Sequence, residues 1–117
     1  MSREGASRGP GILYVVATPI GNLDDIGTRA RSVLAEVDLV LAEDTRRVQT
    51  LLAALGIASP VESFHGDTHA TKRARLVRRL AEGATMALAS DAGTPVLSDP
   101  GAQLIAEAAA AGVTISP

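Results

Sequence analysis

The 117-residue chain has no cysteine and no tryptophan, one tyrosine, one phenylalanine and a single lysine, Lys72. Each shortage removes a class of function. Without cysteine there is no disulfide, no thiolate nucleophile and no cysteine–zinc site. With Tyr14 and Phe64 as the whole aromatic complement, stacking of bases on aromatic platforms is nearly excluded. Lys72 is not preceded by a glycine-rich loop, which excludes a Walker phosphate site. Thirteen acids against eleven bases give a net charge of −2, so only a local basic face could attract nucleic acid. No apolar run approaches the roughly 20 residues that cross a bilayer. The opening Met1–Gly11 is polar, with Arg3, Glu4 and Arg8, and has no apolar run behind it to act as a signal peptide. A cytoplasmic protein without membrane contact is expected.

What is present is apolar and mostly small. Hydrophobic residues make up 46% of the chain, and a chain of this length buries about two thirds of its unfolded surface in one core. Ile12–Ala17 and Asp38–Ala42 are short continuous apolar runs, the mark of strands covered on both faces. Ile26, Ala30, Val33, Leu34 and Val37 recur at helical spacing, with Thr28 as the expected cap. Val48, Leu51, Leu52 and Leu55 do so again, opened by Asp44 and stopped by Gly56. Val61–Phe64 is a third strand, and Thr71–Ala81 a basic helix closing at Gly83. Thr85–Ser90 is a fourth strand. A helix opened by Asp99 and Pro100 ends at Gly112, and Val113–Ser116 is a fifth strand. Strands alternating with helices predict a doubly wound parallel α/β sheet with helices on both faces. Residues 1–11 are expected to form a flexible tail and 12–117 a single domain. A chain that stops on a buried strand reads as truncated.

In such a sheet ligands bind beyond the carboxyl ends of the strands. Four segments qualify: Thr18-Pro19-Ile20-Gly21-Asn22, Glu43-Asp44-Thr45-Arg46-Arg47, His65-Gly66-Asp67 and Ser90-Asp91-Ala92-Gly93-Thr94-Pro95. The first has one glycine where a dinucleotide fingerprint needs three. The third strand ends in Phe64-His65, where a phospho-acceptor receiver domain needs an aspartate. His65, Asp67 and His69 lie close in sequence, but a turn in which Asp67 or Thr68 caps the basic helix explains them better than a metal site. In Ser90–Pro95, Gly93 permits close backbone approach and Pro95 stiffens the turn, as a ligand loop requires. The run Lys72–Arg79 carries five cations. It is either a solvated helix surface or a phosphate-contacting face, to which Arg46 and Arg47 could add.

These residues also carry a resemblance. Tyr14–Ile26, Ala42-Glu43-Asp44-Thr45-Arg46 and Ser90–Gly101 resemble, in order and spacing, three signatures of the ribosomal RNA small subunit methyltransferase I family. That family lies within the tetrapyrrole methylase superfamily, and the resemblance runs from Leu13 to Pro117. It implies S-adenosylmethionine as methyl donor, bound in a cleft between two α/β domains. It further implies methylation of a cytidine ribose 2′-hydroxyl in the decoding region of 16S rRNA, within the 30S subunit. Carried over, Pro19, Ile20, Gly21, Asp91, Ala92, Gly93, Thr94 and Leu97 would contact the donor. Glu43 is the first choice as base, with Asp44 and His65 as the other candidates. Arg46, Arg47, His65, Arg75 and Arg79 would face the RNA. The family's second domain has no counterpart here, so the chain alone is expected to be inactive and to self-associate as a homodimer. The alternatives are a methylase of a small tetrapyrrole or a protein side chain, and a non-catalytic binding or dimerisation module.

Overall fold

Strands and helices alternate along the whole chain: β1 (Ile12–Thr18), α1 (Thr28–Glu36), β2 (Leu39–Ala42), α2 (Thr45–Ala54), β3 (Val61–Ser63), α3 (Ala70–Ala81), β4 (Thr85–Asp91), α4 (Asp99–Ala110) and β5 (Thr114–Ser116). This computed structural model describes residues 9–19, 25–65, 68, 70–91 and 99–117, with the backbone alone for Asp91 and Asp99. The strands form one sheet in the order β3-β2-β4-β1-β5, and every pairing is parallel. The expected doubly wound α/β architecture is the one observed.

The two cores follow from the two-residue period of a strand. Leu13, Leu39, Leu41, Met86 and Leu88 point to one face, where they meet Leu76 and Leu80 of α3 and Leu104 and Ala108 of α4. Val16, Val40, Ala42, Ala87 and Ala89 point to the other, against Leu34 of α1 and Val48 and Leu52 of α2. Helices cover both faces, so both sets of positions must be apolar. That is why the strands read as unbroken hydrophobic runs.

Helix ends follow local chemistry except at the openings of α1 and α4, where Asp99, expected as the N-cap ahead of Pro100, is already the first helical residue. The Asp44 carboxylate accepts from the Arg47 backbone amide at 3.1 Å, capping α2 as expected. Gly56 and Gly83 take positive φ values of 74° and 115° just past α2 and α3, a conformation that costs other residues a Cβ clash. The expected cap by Thr28 is not made. Gly27 is the N-cap, in extended conformation and with no side-chain bond, and Thr28 is already helical. Val37 is the C-cap of α1 rather than part of it.

Asp38, expected inside the second strand, lies just before it and stitches the amino ends of β2 and β4. Its Oδ2 accepts from the Thr85 amide at 2.9 Å, while its own amide donates to the Thr85 carbonyl at 2.9 Å. Nearby, buried Gly11 donates its amide to the Leu80 carbonyl at 2.7 Å. A Cβ on Gly11 would lie 1.9 Å from the Ala84 carbonyl oxygen, so only hydrogen fits there. Among the described residues no helix is long and apolar enough to cross a membrane.

Candidate ligand site at the carboxyl rim

The strand order decides where a ligand can sit. β1 is followed by α1 on one face of the sheet, and its neighbour β4 is followed by α4 on the other. The connections leaving two adjacent strands therefore lead to helices on opposite faces, the arrangement beside which open α/β sheets bind their ligands. Thr18 is in register with Asp91, so β1 and β4 end side by side. Ala42, the last residue of β2, is level with Ala89, so β4 runs two residues further than β2. The segments that begin at Pro19 and after Asp91 thus leave from adjoining points at the most projecting part of the rim.

Two side chains fix those points. Thr18 is 2% exposed, and its hydroxyl donates to the Ser90 carbonyl at 3.0 Å. A buried hydroxyl needs such a partner, and this one joins the last turns of the pleat in both strands. Arg47, in the first turn of α2, reaches across to Pro19 and donates from Nη2 to its carbonyl at 3.0 Å. Pro19 is half-buried. Neither contact is local, since the partners lie 72 and 28 residues apart in sequence.

Of the residues expected at the donor site, Pro19 and the backbone of Asp91 are brought together by the β1–β4 pairing. Ile20, Gly21, Ala92, Gly93, Thr94 and Leu97 lie outside the described residues, as does the Asp91 side chain. Glu43 is exposed directly after β2. Adjacent strands lie about 4.8 Å apart, so Glu43 starts one strand spacing from β4 and two, about 10 Å, from β1. His65 follows β3, a further strand away. Its amide donates to the Thr68 hydroxyl at 2.9 Å and its carbonyl accepts from the Thr68 amide at 2.9 Å. Asp67 and His69 lie outside the described residues.

The basic residues divide. Arg46 is exposed at the opening of α2, close to the rim. On α3, Lys72 donates to the Ser63 carbonyl at 2.6 Å, Arg73 pairs with Glu107 of α4 at 2.7 Å, and Arg75 lies 3.6 Å from Glu62 of β3. Much of this basic run therefore answers acceptors of its own fold. Arg75 keeps 53% of its side chain exposed. Arg79 sits in the last turn of α3, about 10 Å along the helix axis from Lys72, toward the amino rim of the sheet. The sequence offered no local sign of the Thr18 tie or of the Arg47 contact. The one available signal was a polar residue closing an apolar strand.

Residues 12–117 match the family model described as Tetrapyrrole (Corrin/Porphyrin) Methylases. Ribosomal RNA small subunit methyltransferase I of Xylella fastidiosa is 47% identical over 108 residues, covering 92% of this chain and 40% of that protein. The protein of the same name from Pseudomonas aeruginosa is 50% identical over 107 residues, 92% of this chain and 38% of its own length. The chain therefore spans well under half of these curated relatives. Among solved structures, uroporphyrin-III-C-methyltransferase of Thermus thermophilus aligns with a TM-score of 0.68 at 23% identity, over 91% of this chain and 46% of that one. Diphthine synthase aligns with a TM-score of 0.68 at 18% identity, over 91% and 43%. At these identities the likeness is one of fold. The family match begins at the first residue of β1 and continues through Pro117, with no element of the sheet left out: the chain belongs to the tetrapyrrole methylase family.

Proposed function

We propose that this chain serves S-adenosylmethionine-dependent 2′-O-methylation of a cytidine ribose in 16S rRNA, within the cytoplasmic 30S subunit, and supplies the amino-terminal half of the donor cleft. The observation that carries this reading is the contrast in identity. The chain is 47–50% identical to proteins named for ribosomal RNA methylation but 18–23% identical to the solved uroporphyrin-III-C-methyltransferase and diphthine synthase that share its fold. That contrast favours the RNA substrate over a tetrapyrrole.

The rim suits the donor. Two strand ends, at Thr18 and Asp91, meet side by side at the switch point, where a flat, extended donor would lie between the segments that leave them. Pro19, Ile20 and Gly21 on one side and Asp91, Ala92, Gly93, Thr94 and Leu97 on the other would hold it. When bound, the donor supplies an electrophilic methyl on a sulfonium. The task left to the chain is to orient the 2′-oxygen in line with that methyl, and orientation of this kind lowers much of a bimolecular barrier. The ribose hydroxyl is a poor acid, and a carboxylate oxygen of Glu43 would take its proton. Arg46 and Arg75, both exposed, would meet RNA phosphates, and His65 would lie at the far edge of the same surface. Self-association as a homodimer through the open face of the cleft completes the reading.

The test is a radiolabelled methyl-transfer assay on 30S particles with this chain and with a version extended by the portion its relatives carry. Transfer to a 16S cytidine by the extended version, and none by the short one, is the expected result. Transfer to a tetrapyrrole acceptor instead would replace the substrate, and equal turnover by the short chain would overturn the two-walled cleft.

A further inference from the structure

The contact between Arg47 and Pro19 separates two roles that an arginine at this rim could have. A phosphate-binding arginine presents its guanidinium to solvent. Arg47 is half-buried, and its Nη2 donates at 3.0 Å to a backbone carbonyl 28 residues earlier in the chain. The carbonyl belongs to the first residue after β1. Proline there has no amide to pair with a neighbouring strand, so the sheet has less hold on this residue than on those before it. Arg47 restores a hold from the side, across from α2. The anchor itself is firm. Asp44 accepts from the Arg47 amide at 3.1 Å, so the side chain springs from a capped first turn. One residue earlier, Thr18 ties the same corner to β4 through the Ser90 carbonyl. The corner from which the first donor segment departs is thus pinned to β4 on one side and to α2 on the other.

We infer that Arg47 is a positioning residue for the donor rather than a phosphate contact: it holds the Pro19 corner where the donor-facing segment begins. This rests on the donor site proposed above. The basic face left for RNA then contains Arg46 but not its neighbour. The two differ because a helix turns by about 100° per residue, which sends adjacent side chains to different surfaces. Lysine at position 47 keeps the charge and N–H donors but loses the planar fork that reaches a carbonyl from a packed position.

The test uses the isotopically labelled chain, titrated with S-adenosylmethionine and, separately, with a decoding-region RNA hairpin over a range of salt. Nuclear magnetic resonance reads donor affinities into the millimolar range and shows the fold of each variant at once. Arg47→Met is expected to weaken donor binding about tenfold, the size of one lost hydrogen bond from a charged group. Its resonances outside the Pro19 corner, and the salt slope for the hairpin, should stay as in the parent. Arg47→Lys should recover part of the loss. A lower salt slope with unchanged donor affinity would make Arg47 a phosphate contact and overturn the inference. Equal loss of both ligands with general unfolding in both variants would overturn it in favour of a purely structural role. If the parent chain binds no donor, the same titrations are read on the version extended by the portion its relatives carry, and no binding there either means that the proposed donor site itself fails, an outcome distinct from the others.

Discussion

The two rims of this sheet are built by different means. At the amino rim, backbone lies against backbone or is joined through short side chains: Gly11 lies so close to Ala84 that a Cβ would sit 1.9 Å from its carbonyl oxygen. Asp38 and Thr85 exchange bonds through amides, a carbonyl and a carboxylate. At the carboxyl rim single side chains reach to lone carbonyls, Thr18 to Ser90 and Arg47 to Pro19. The first kind of contact leaves no room for anything else. The second ties strand ends to other elements through side chains alone. One rim is joined at close quarters, the other by side chains that reach across.

That contrast can be broken by substitution. The largest effect is expected from Gly11→Ala at the amino rim. Backbone has to move to admit the methyl, and overpacking of this kind costs about 3 kcal/mol or more. A chemical denaturation curve would read the loss, and a change under about 1 kcal/mol would show that the rim yields. Asp38→Ala comes next. It strips the Thr85 amide of its carboxylate partner, and an unsatisfied buried donor costs about 1–3 kcal/mol. Asp38→Asn, which keeps an acceptor, should recover most of that in the same measurement.

At the carboxyl rim the order of effects should reverse, with function moving more than stability. Thr18→Val keeps the shape of a buried side chain and deletes one hydroxyl, so stability should fall by only about 1 kcal/mol. Donor affinity should drop by more than that, since the corner shared by both donor segments loses its tie. Equal losses in stability and in donor binding would erase the distinction between the rims. The smallest structural effect is expected for Arg75→Gln, which removes the charge without setting a second carboxylate against the buried Glu62 Oε2. Arg75 lies 3.6 Å from that oxygen with 53% of its side chain exposed, and a pair this exposed contributes about 1 kcal/mol or less. If Arg75 meets RNA, the salt slope of hairpin binding should fall by about 0.7–0.9 for one lost phosphate contact. An unchanged slope would return Arg75 to the role of a surface partner for Glu62.

The elements were legible in the sequence because both faces of the sheet are covered, which forces runs such as Ile12–Ala17 and Thr85–Ser90 to be apolar throughout. Asp44 and the glycines that end α2 and α3 were legible for local reasons, a carboxylate three residues from an amide and a backbone that needs positive φ. The cap of α1 was not, because Gly27 serves with backbone geometry alone and leaves the neighbouring threonine looking like the better candidate. The strand order was out of reach, since alternation of strands and helices is the same for many orders. The candidate site divides in the same way. Its location followed from the rule that ligands sit beyond strand ends, but the occupation of Lys72, Arg73 and Arg75 by Ser63, Glu107 and Glu62 depends on partners up to 34 residues away. A run of cations seen in one dimension looks unspent; folded, much of it is already answered.

The strand order carries a consequence for how the molecule assembles. Among the described residues β1 hydrogen-bonds only to β4 and β5, and both of these come after residue 84. During synthesis β1 therefore waits until residues beyond 84 have been added before it meets a neighbour, while β2 and β3 can already pair. β4 lies between β2 and β1, and closing so long a loop before its contacts form slows folding. The corner at Thr18 and Pro19 comes into being at that same moment, because Ser90 arrives with β4. A nascent or truncated chain ending before β4 is thus left with an apolar, unpaired β1, the kind of edge on which chaperones act and aggregation begins.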